Sequence, residues 1–241
     1  MHQPPWDFLL IILVLAVFVP WRGLIRVREL LSRPHLSSRE RLLLYGSTIG
    51  FQWVATAITM WRATARGMSP AALGLAPDLP MRGLVLGTIM ALLLGSVQIF
   101  SLRQLSRVPI EKRGHLFQVA VRLMPQNLQE TVVFVALVVT VSVCEEMLYR
   151  GFAFAVFRDT GGGSMAFALI GSSLLFAIGH AYQGKRGIIS TFILGLILAF
   201  ARSWADSLLP AVMTHLAVDL TAGLVGKQAR GSRSASPRHA G

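Results

Sequence analysis

The sequence predicts an all-α fold, a polytopic membrane helix bundle of about seven transmembrane helices, and three observations carry that expectation. The chain has 241 residues, of which 54% are hydrophobic and only 14% charged, well under the roughly 25% charged share of soluble domains. The apolar residues arrive in blocks long enough to cross a bilayer. Between the blocks lie short basic or proline-bearing connections, and most of the 23 Lys and Arg fall on alternate ones. A spanning chain has no water for its backbone groups, so such blocks form helices that satisfy their own N–H and C=O groups.

The first expected span is Phe8 to Trp21, with Trp6 as an interfacial anchor. It lacks a basic leader and a small-residue cleavage site, and so reads as retained rather than as a removed signal peptide. Arg22 to Arg41 reads as a basic polar connection, and Leu42 to Trp61 as the second span. Pro70, Pro77 and Pro80 make 62–82 an irregular loop, since proline breaks helix interiors. The third span is Gly83 to Leu102. From Arg103 to Glu130 the chain is basic and partly amphipathic through Leu116, Phe117, Val119, Val121 and Leu123, an interfacial helix broken at Pro125.

The fourth span is Thr131 to Phe157, followed by a turn through Gly161, Gly162 and Gly163. The fifth runs from Met165 to Tyr182, the sixth from Ile188 to Ala201 and the seventh from Leu208 to Val225. Asp206 or Ser207 offers an N-cap to the last of these, with Pro210 in its first turn. Residues 227–241 read as a disordered basic tail of Gly, Ser, Arg and Pro. The positive-inside rule applied to the basic connections places the N-terminus outside and the C-terminus in the cytoplasm of a cell (inner) membrane.

A net charge of +12 in a soluble chain points to nucleic acid. Here it is explained by loops facing an anionic leaflet, and no nucleic-acid partner is expected. The single cysteine, Cys144, excludes an intrachain disulfide framework and a CxxC metal site.

Within the fourth span stands Cys144-Glu145-Glu146-Met147-Leu148-Tyr149-Arg150. Each charge near the middle of a span costs roughly 2.5 to 3.5 kcal/mol on insertion scales, so each needs a partner or a purpose. Residues four apart share a helix face. Glu146 can therefore pair with Arg150, while Glu145, about 100° round the helix, is left over. An unpaired buried carboxylate becomes a general base or a metal ligand when a histidine or a metal meets it, and a structural ion pair that locks packing is the plainer alternative. The later spans add His180, and His215 with Asp219 one turn on. A Glu, two His and an Asp on successive apolar helices are a set from which water activation or metal binding is built.

Glu-Glu-x-x-x-Arg at 145–150, Phe-x-x-x-His at 176–180 and His-x-x-x-Asp at 215–219, in this order, resemble the three motifs of the CPBP family. These are the CAAX-protease and bacteriocin-processing (Abi) intramembrane endopeptidases, of which CAAX prenyl protease 2 is one kind. Pro125, Glu130, Gly151, Phe152, Gly184, Gly195 and Ser207 to Pro210 agree with the pattern. The resemblance covers about 123–226, a catalytic membrane domain in the last four spans, and leaves 1–122 as N-terminal membrane helices and basic loops.

The resemblance implies an intramembrane protease acting on a membrane-associated peptide or protein tail. It implies that Glu145 activates water with His180, that His215 and Asp219 stabilise the oxyanion, and that Glu146 and Arg150 support them. No cofactor is required on that reading. Because the family carries Asn where this chain has Asp219, a zinc-dependent version, with Glu145, His180, His215 and Asp219 as ligands, stays open beside it. A proton- or ion-coupled transporter and a non-catalytic immunity or scaffold protein are the alternatives from other classes. Sequence placement raises one difficulty, because His180 and His215 fall roughly 10 Å apart in depth when counted at 1.5 Å per residue.

Overall fold

The computed structural model describes residues 4–33, 35–108, 120 and 122–234. Among the described residues there are seven main helices and no strand. They are α1 (Trp6–Ser32), α2 (Ser38–Ala65), α3 (Pro80–Ser106), α4 (Leu128–Thr160), α5 (Met165–Gly179), α6 (Gly184–Ala205) and α7 (Leu209–Ser234). Five of them are long and apolar enough to cross a membrane: α1, α2, α3, α4, and α6 with the turn before it. Leu9, Leu13 and Val17 on α1 and Val85, Ile89 and Leu92 on α3 are exposed, as lipid-facing residues of a multi-pass membrane protein are.

The expected first span is too short. α1 runs on to Ser32, so Arg22 to Ser32 is helix rather than polar connection. Arg, Leu and Glu are good helix formers, and the charges can turn inward along one stripe without breaking the backbone pattern. Pro20 has no N–H to give to the preceding turn, and its ring crowds the carbonyl there. A π-helical stretch from Val14 to Phe18, just upstream, absorbs that defect. Of the interfacial segment expected over 103–130, 109–119 and 121 fall outside the described residues, Leu116, Phe117, Val119 and Val121 among them, and so do 235–241 of the expected tail. α7 itself continues past Val225 to Ser234.

Polar rungs fix α2 against α4, and the two run parallel. Ser37 begins α2 with a reciprocal capping box to Glu40, and Asn127 caps α4 through Glu130 N–H at 2.9 Å. One turn into α2, the buried Arg41 donates Nε and Nη2 to the two oxygens of the fully buried Glu130, at 2.8 and 3.0 Å. Asn127 Nδ2 and Gln126 N–H complete the carboxylate's shell. Tyr45 donates to Leu123 O and meets Phe134 edge-on at 5.7 Å. Trp53 donates to Thr140 at 3.3 Å farther along. At the opposite end of α2, Arg62 holds Asp7 at the start of α1 at 2.8 Å.

α3 packs along α7 through small residues, the usual route to close helix approach in lipid. A Cβ on Gly87 would lie 2.8 Å from Met213 Sδ and 3.0 Å from Pro210 Cα. The apolar core joins α1, α4 and α5 around Phe8, Leu15, Phe152, Leu175 and Phe176, with Phe8 and Phe152 in a T-shaped contact at 5.0 Å.

Glu130→Ala strands the Arg41 guanidinium in a buried site. It is expected to lower the thermal midpoint of the detergent-solubilised protein by about 5 °C or more. The Arg41→Met and Glu130→Ala double variant removes both charges and should recover most of that loss in the same thermal scan.

Candidate active site

The acidic pair lies where α4 changes its winding. Glu145 closes the α-helical part, and a π-helical stretch follows from Glu146 to Ala153; π segments inside α-helices recur at functional sites. Adjacent positions on this helix face different neighbours. Glu145 turns toward α2 and the end of α5, while Glu146 turns toward α7.

Glu146 is fully buried, and its Oε1 accepts two hydrogen bonds. One comes from Arg150 Nη1 at 2.9 Å and the other from His215 Nδ1 at 2.8 Å. Arg150, also fully buried, lies with its guanidinium 4.0 Å over the ring of Phe176. The pairing expected from helix spacing is present, and the bond to His215 adds to it a second partner sixty-nine residues away. Because Nδ1 of His215 engages a carboxylate, Nε2 is the nitrogen left to the interior, 3.6 Å from Asp219 Oδ2. Both ring nitrogens thus face acids, an arrangement in which both can carry protons.

Glu145 takes no part in that network. Its Oε1 accepts from Gln52 Nε2 of α2 at 3.1 Å, and its Oε2 stands 3.8 Å from His180 Nε2 without a protein hydrogen bond of its own. His180 follows α5 directly, and its Nδ1 lies 2.8 Å from Phe176 O. A carbonyl only accepts, so Nδ1 carries a proton and Nε2 is turned on Glu145. Phe176 stands between the two imidazoles, with ring centroids 4.5 Å from His180 and 6.0 Å from His215.

The depth difficulty is met by an offset between helices and not by a change in the count. His180 still follows 15 residues of α5, yet both imidazoles stand against Phe176, at ring centroids of 4.5 and 6.0 Å, so α5 and α7 are staggered or tilted relative to one another. The 15 residues of α5 rise about 22 Å at 1.5 Å each, short of the roughly 30 Å of a hydrocarbon core. The fifth span does not reach Tyr182. A 3₁₀ turn, Ala181–Gln183, takes over, and Gly184 at φ 76° supplies the left-handed residue that starts α6. At the other end of α6, Asp206 takes a left-handed conformation as its C-cap, and Ser207 Oγ accepts from Leu209 N–H at the start of α7.

Glu145, His180, His215 and Asp219 all line one cavity of about 510 Å³. Glu146 and Arg150 do not line it and sit behind its wall. The rest of the wall includes Tyr149, Tyr182 and Gln183, together with Arg22, Arg26, Tyr45, Thr48 and Gln52 from α1 and α2. Gln52 and the two arginines were missed by sequence reasoning. The usable signal for Gln52 was a lone amide in the middle of an otherwise apolar span.

A metal is the chemistry left open by this donor set. Among the described residues, no three His, Cys, Asp or Glu are gathered so as to hold a metal ion. The four candidates form two separate pairs, Glu145 with His180 and His215 with Asp219. The arrangement does not fit a zinc ligand shell.

Residues 127–221 match the family model for Rce1-like proteins, described as type II CAAX prenyl endopeptidase Rce1-like. The matched segment runs from the N-cap of α4 into α7 and contains all six of the charged and histidine positions above. No curated protein and no solved structure matches the chain.

The two glutamates are expected to differ in what they do for stability. Glu146→Gln leaves Arg150 buried without a counter-ion and should cost about 3 kcal/mol or more. Glu145→Gln removes an acid that, among the described residues, has no arginine or lysine within ion-pair distance and should be neutral or stabilising. Thermal unfolding of the two variants in one detergent measures both.

Proposed function

From the Rce1-like domain at residues 127–221, a domain type consistent with the CPBP family, we propose that the protein is an intramembrane endopeptidase. On this reading it hydrolyses a peptide bond in a membrane-associated peptide or protein tail of CAAX type, with a water molecule activated by Glu145 and His180. The observation that carries the reading is the pairing of an otherwise unneutralised carboxylate with an imidazole nitrogen, 3.8 Å apart on a cavity wall. A water held between Glu145 Oε2 and His180 Nε2 has an acceptor on either side.

Glu145 takes a proton from that water as the hydroxide oxygen attacks the scissile carbonyl. Gln52, donating to the other carboxylate oxygen, keeps Oε2 aimed at the water. The oxyanion of the tetrahedral intermediate is met by His215 Nε2–H. Glu146 supports that role from behind by fixing Nδ1, and Asp219 Oδ2 stands 3.6 Å from Nε2 without taking its single N–H. Asp219 takes the family's Asn position as an orienting group for the imidazole, since an ionised carboxylate repels an oxyanion. Glu145 then returns its proton to the departing amine, the C–N bond breaks, and a free acid and a free amine remain. No metal enters any of these steps.

Purified protein and an internally quenched, lipidated tail peptide test the reading. Glu145→Gln is expected to lower kcat by about 100-fold or more, the usual worth of a positioned general base. His180→Ala and His215→Ala should each lower it strongly while leaving the protein folded. A chelator should change nothing. Cleavage by Glu145→Gln at the wild-type rate would sink the mechanism, loss of activity on chelation with recovery on zinc would replace it with a metal-dependent one, and ion flux in liposomes without cleavage would favour a transporter.

His215 also gives a separable expectation. Glu146→Gln keeps a hydrogen-bond partner for Nδ1 but loses the charge, so kcat should fall by roughly 10-fold while KM moves little, read from the same peptide assay.

A further inference from the structure

α1 brings two arginines to the cavity that sequence reading had placed in a loop. Arg22 and Arg26, four residues apart, lie on one face of α1 and line the cavity together with Glu145. Their neighbours Trp21, Leu24 and Ile25 are exposed on the outward face of the helix. Both arginines are half-buried. Arg22 lays its guanidinium 4.2 Å over the ring of Phe51, which uses its face and leaves its N–H edge free to donate. Arg26 donates Nη1 to Thr48 at 2.8 Å and Nη2 to Ser47 at 3.0 Å, both neutral hydroxyls.

Among the described residues, neither guanidinium has a carboxylate within 4.0 Å, whereas the buried Arg41 and the half-buried Arg62 of α2 each have one. Of the two acids on their own helix, Glu29 is held by Arg33 at 2.8 Å and Asp7 by Arg62 at the far end. Two cations side by side in a half-buried wall, neither in a direct ion pair among the described residues, repel one another, and an anion entering between them relieves both. The planar fork of arginine fits a carboxylate better than it fits a point acceptor.

The spacing matches a short peptide. Gln52, the residue that holds Glu145, and Thr48, the residue that holds Arg26, are one turn apart on α2, about 6 Å along its axis. Two to three extended residues cover about 7–10 Å. A chain whose scissile carbonyl lies at Glu145 thus reaches the arginines with the end of a two- or three-residue tail. The arginines share the cavity with the acid, whereas the exposed Trp21, Leu24 and Ile25 occupy the other side of α1.

We propose that Arg22 and Arg26, seated on Phe51, Ser47 and Thr48, form a subsite for the free C-terminal carboxylate of the substrate and so set where the chain is cut. They are specificity-determining residues and take no part in proton transfer. This rests on the endopeptidase reading above, but the binding half of its test does not.

The test compares one tail peptide as the free acid and as the C-terminal amide. Binding is measured by fluorescence anisotropy on the full-length Glu145→Gln protein in phosphatidylcholine nanodiscs, and cleavage on wild type in the same discs. The acid is expected to bind about 10-fold to 100-fold more tightly than the amide, as losing a charge-assisted hydrogen-bonded pair implies. Arg22→Gln and Arg26→Gln placed in the Glu145→Gln background should each reduce that preference, and together abolish it. In wild type, amidation should raise KM more than it lowers kcat.

Equal binding of acid and amide overturns the subsite, even if the peptide is cleaved. A preference for the acid without any cleavage by wild type keeps the subsite and removes the protease reading. If the arginine variants leave peptide discrimination intact and instead change affinity only when phosphatidylglycerol is added to the discs, the pair is a lipid contact and the proposal falls.

Discussion

Glu146 lies fully buried between a guanidinium one turn along its own helix and an imidazole that arrives from α7. One carboxylate oxygen accepting from both is a strong constraint in a low-dielectric bundle. If either partner moves away, a charge is left in surroundings that cannot solvate it. The bond therefore fixes the rotation of α7 about its axis as well as its distance from α4. With Nδ1 of His215 committed to Glu146, Nε2 can only face the cavity. Arg150, stacked on Phe176, passes the same constraint to α5, and Phe176 in turn carries His180 through its carbonyl. Three helices are set by one buried charge, and the imidazole nitrogens that line the cavity are aimed as a by-product.

Departures from ordinary α-helix collect around this network. The π stretch of α4 begins at Glu146, α1 carries another from Val14 to Phe18, and α5 ends before it could cross. Each leaves backbone or polar side chains at a depth where lipid would not accept them. Such irregularity is tolerated in membrane proteins where it is enclosed by protein or faces a wet cavity. Phe8 on α1 packs against Phe152 in the π stretch of α4 and closes that region from the lipid side. The 3₁₀ turn at Ala181–Gln183 meets α1 at Gly23, where a Cβ would lie 2.8 Å from Tyr182. A larger residue at Gly23 would push the turn that follows His180.

The bundle itself was legible in the sequence because apolar blocks in lipid can do little but form helices, and the division of labour between Glu145 and Glu146 followed from a 100° step. The long-range bond from Glu146 to His215 was not legible, since spacing reports on one helix at a time. The end of the fifth span was not legible for a related reason. Hydropathy continues through Ala181 and Tyr182, yet the backbone leaves the α conformation after Gly179, and only the φ of Gly184 marks the restart. The first helix was cut short because hydropathy falls at Arg22. That drop marks polar side chains turned to a cavity, a pattern with the same composition as a loop and a different periodicity.

The segment that matches Rce1-like proteins supplies every acid and imidazole of the site, but it does not enclose them. One wall comes from α1 and α2, which lie wholly outside the matched residues. The Arg41–Glu130 clamp and the Trp53–Thr140 bond fix α2 in register against α4, so Gln52 meets Glu145 through a rigid frame and not through local folding. Changes in the first two helices can therefore alter what enters the cavity without touching the groups that would act on it. The acids and imidazoles of the last four helices and the cavity wall supplied by the first two can vary separately, because the register between them rests on a buried ion pair about 22 Å along α4 from Glu145.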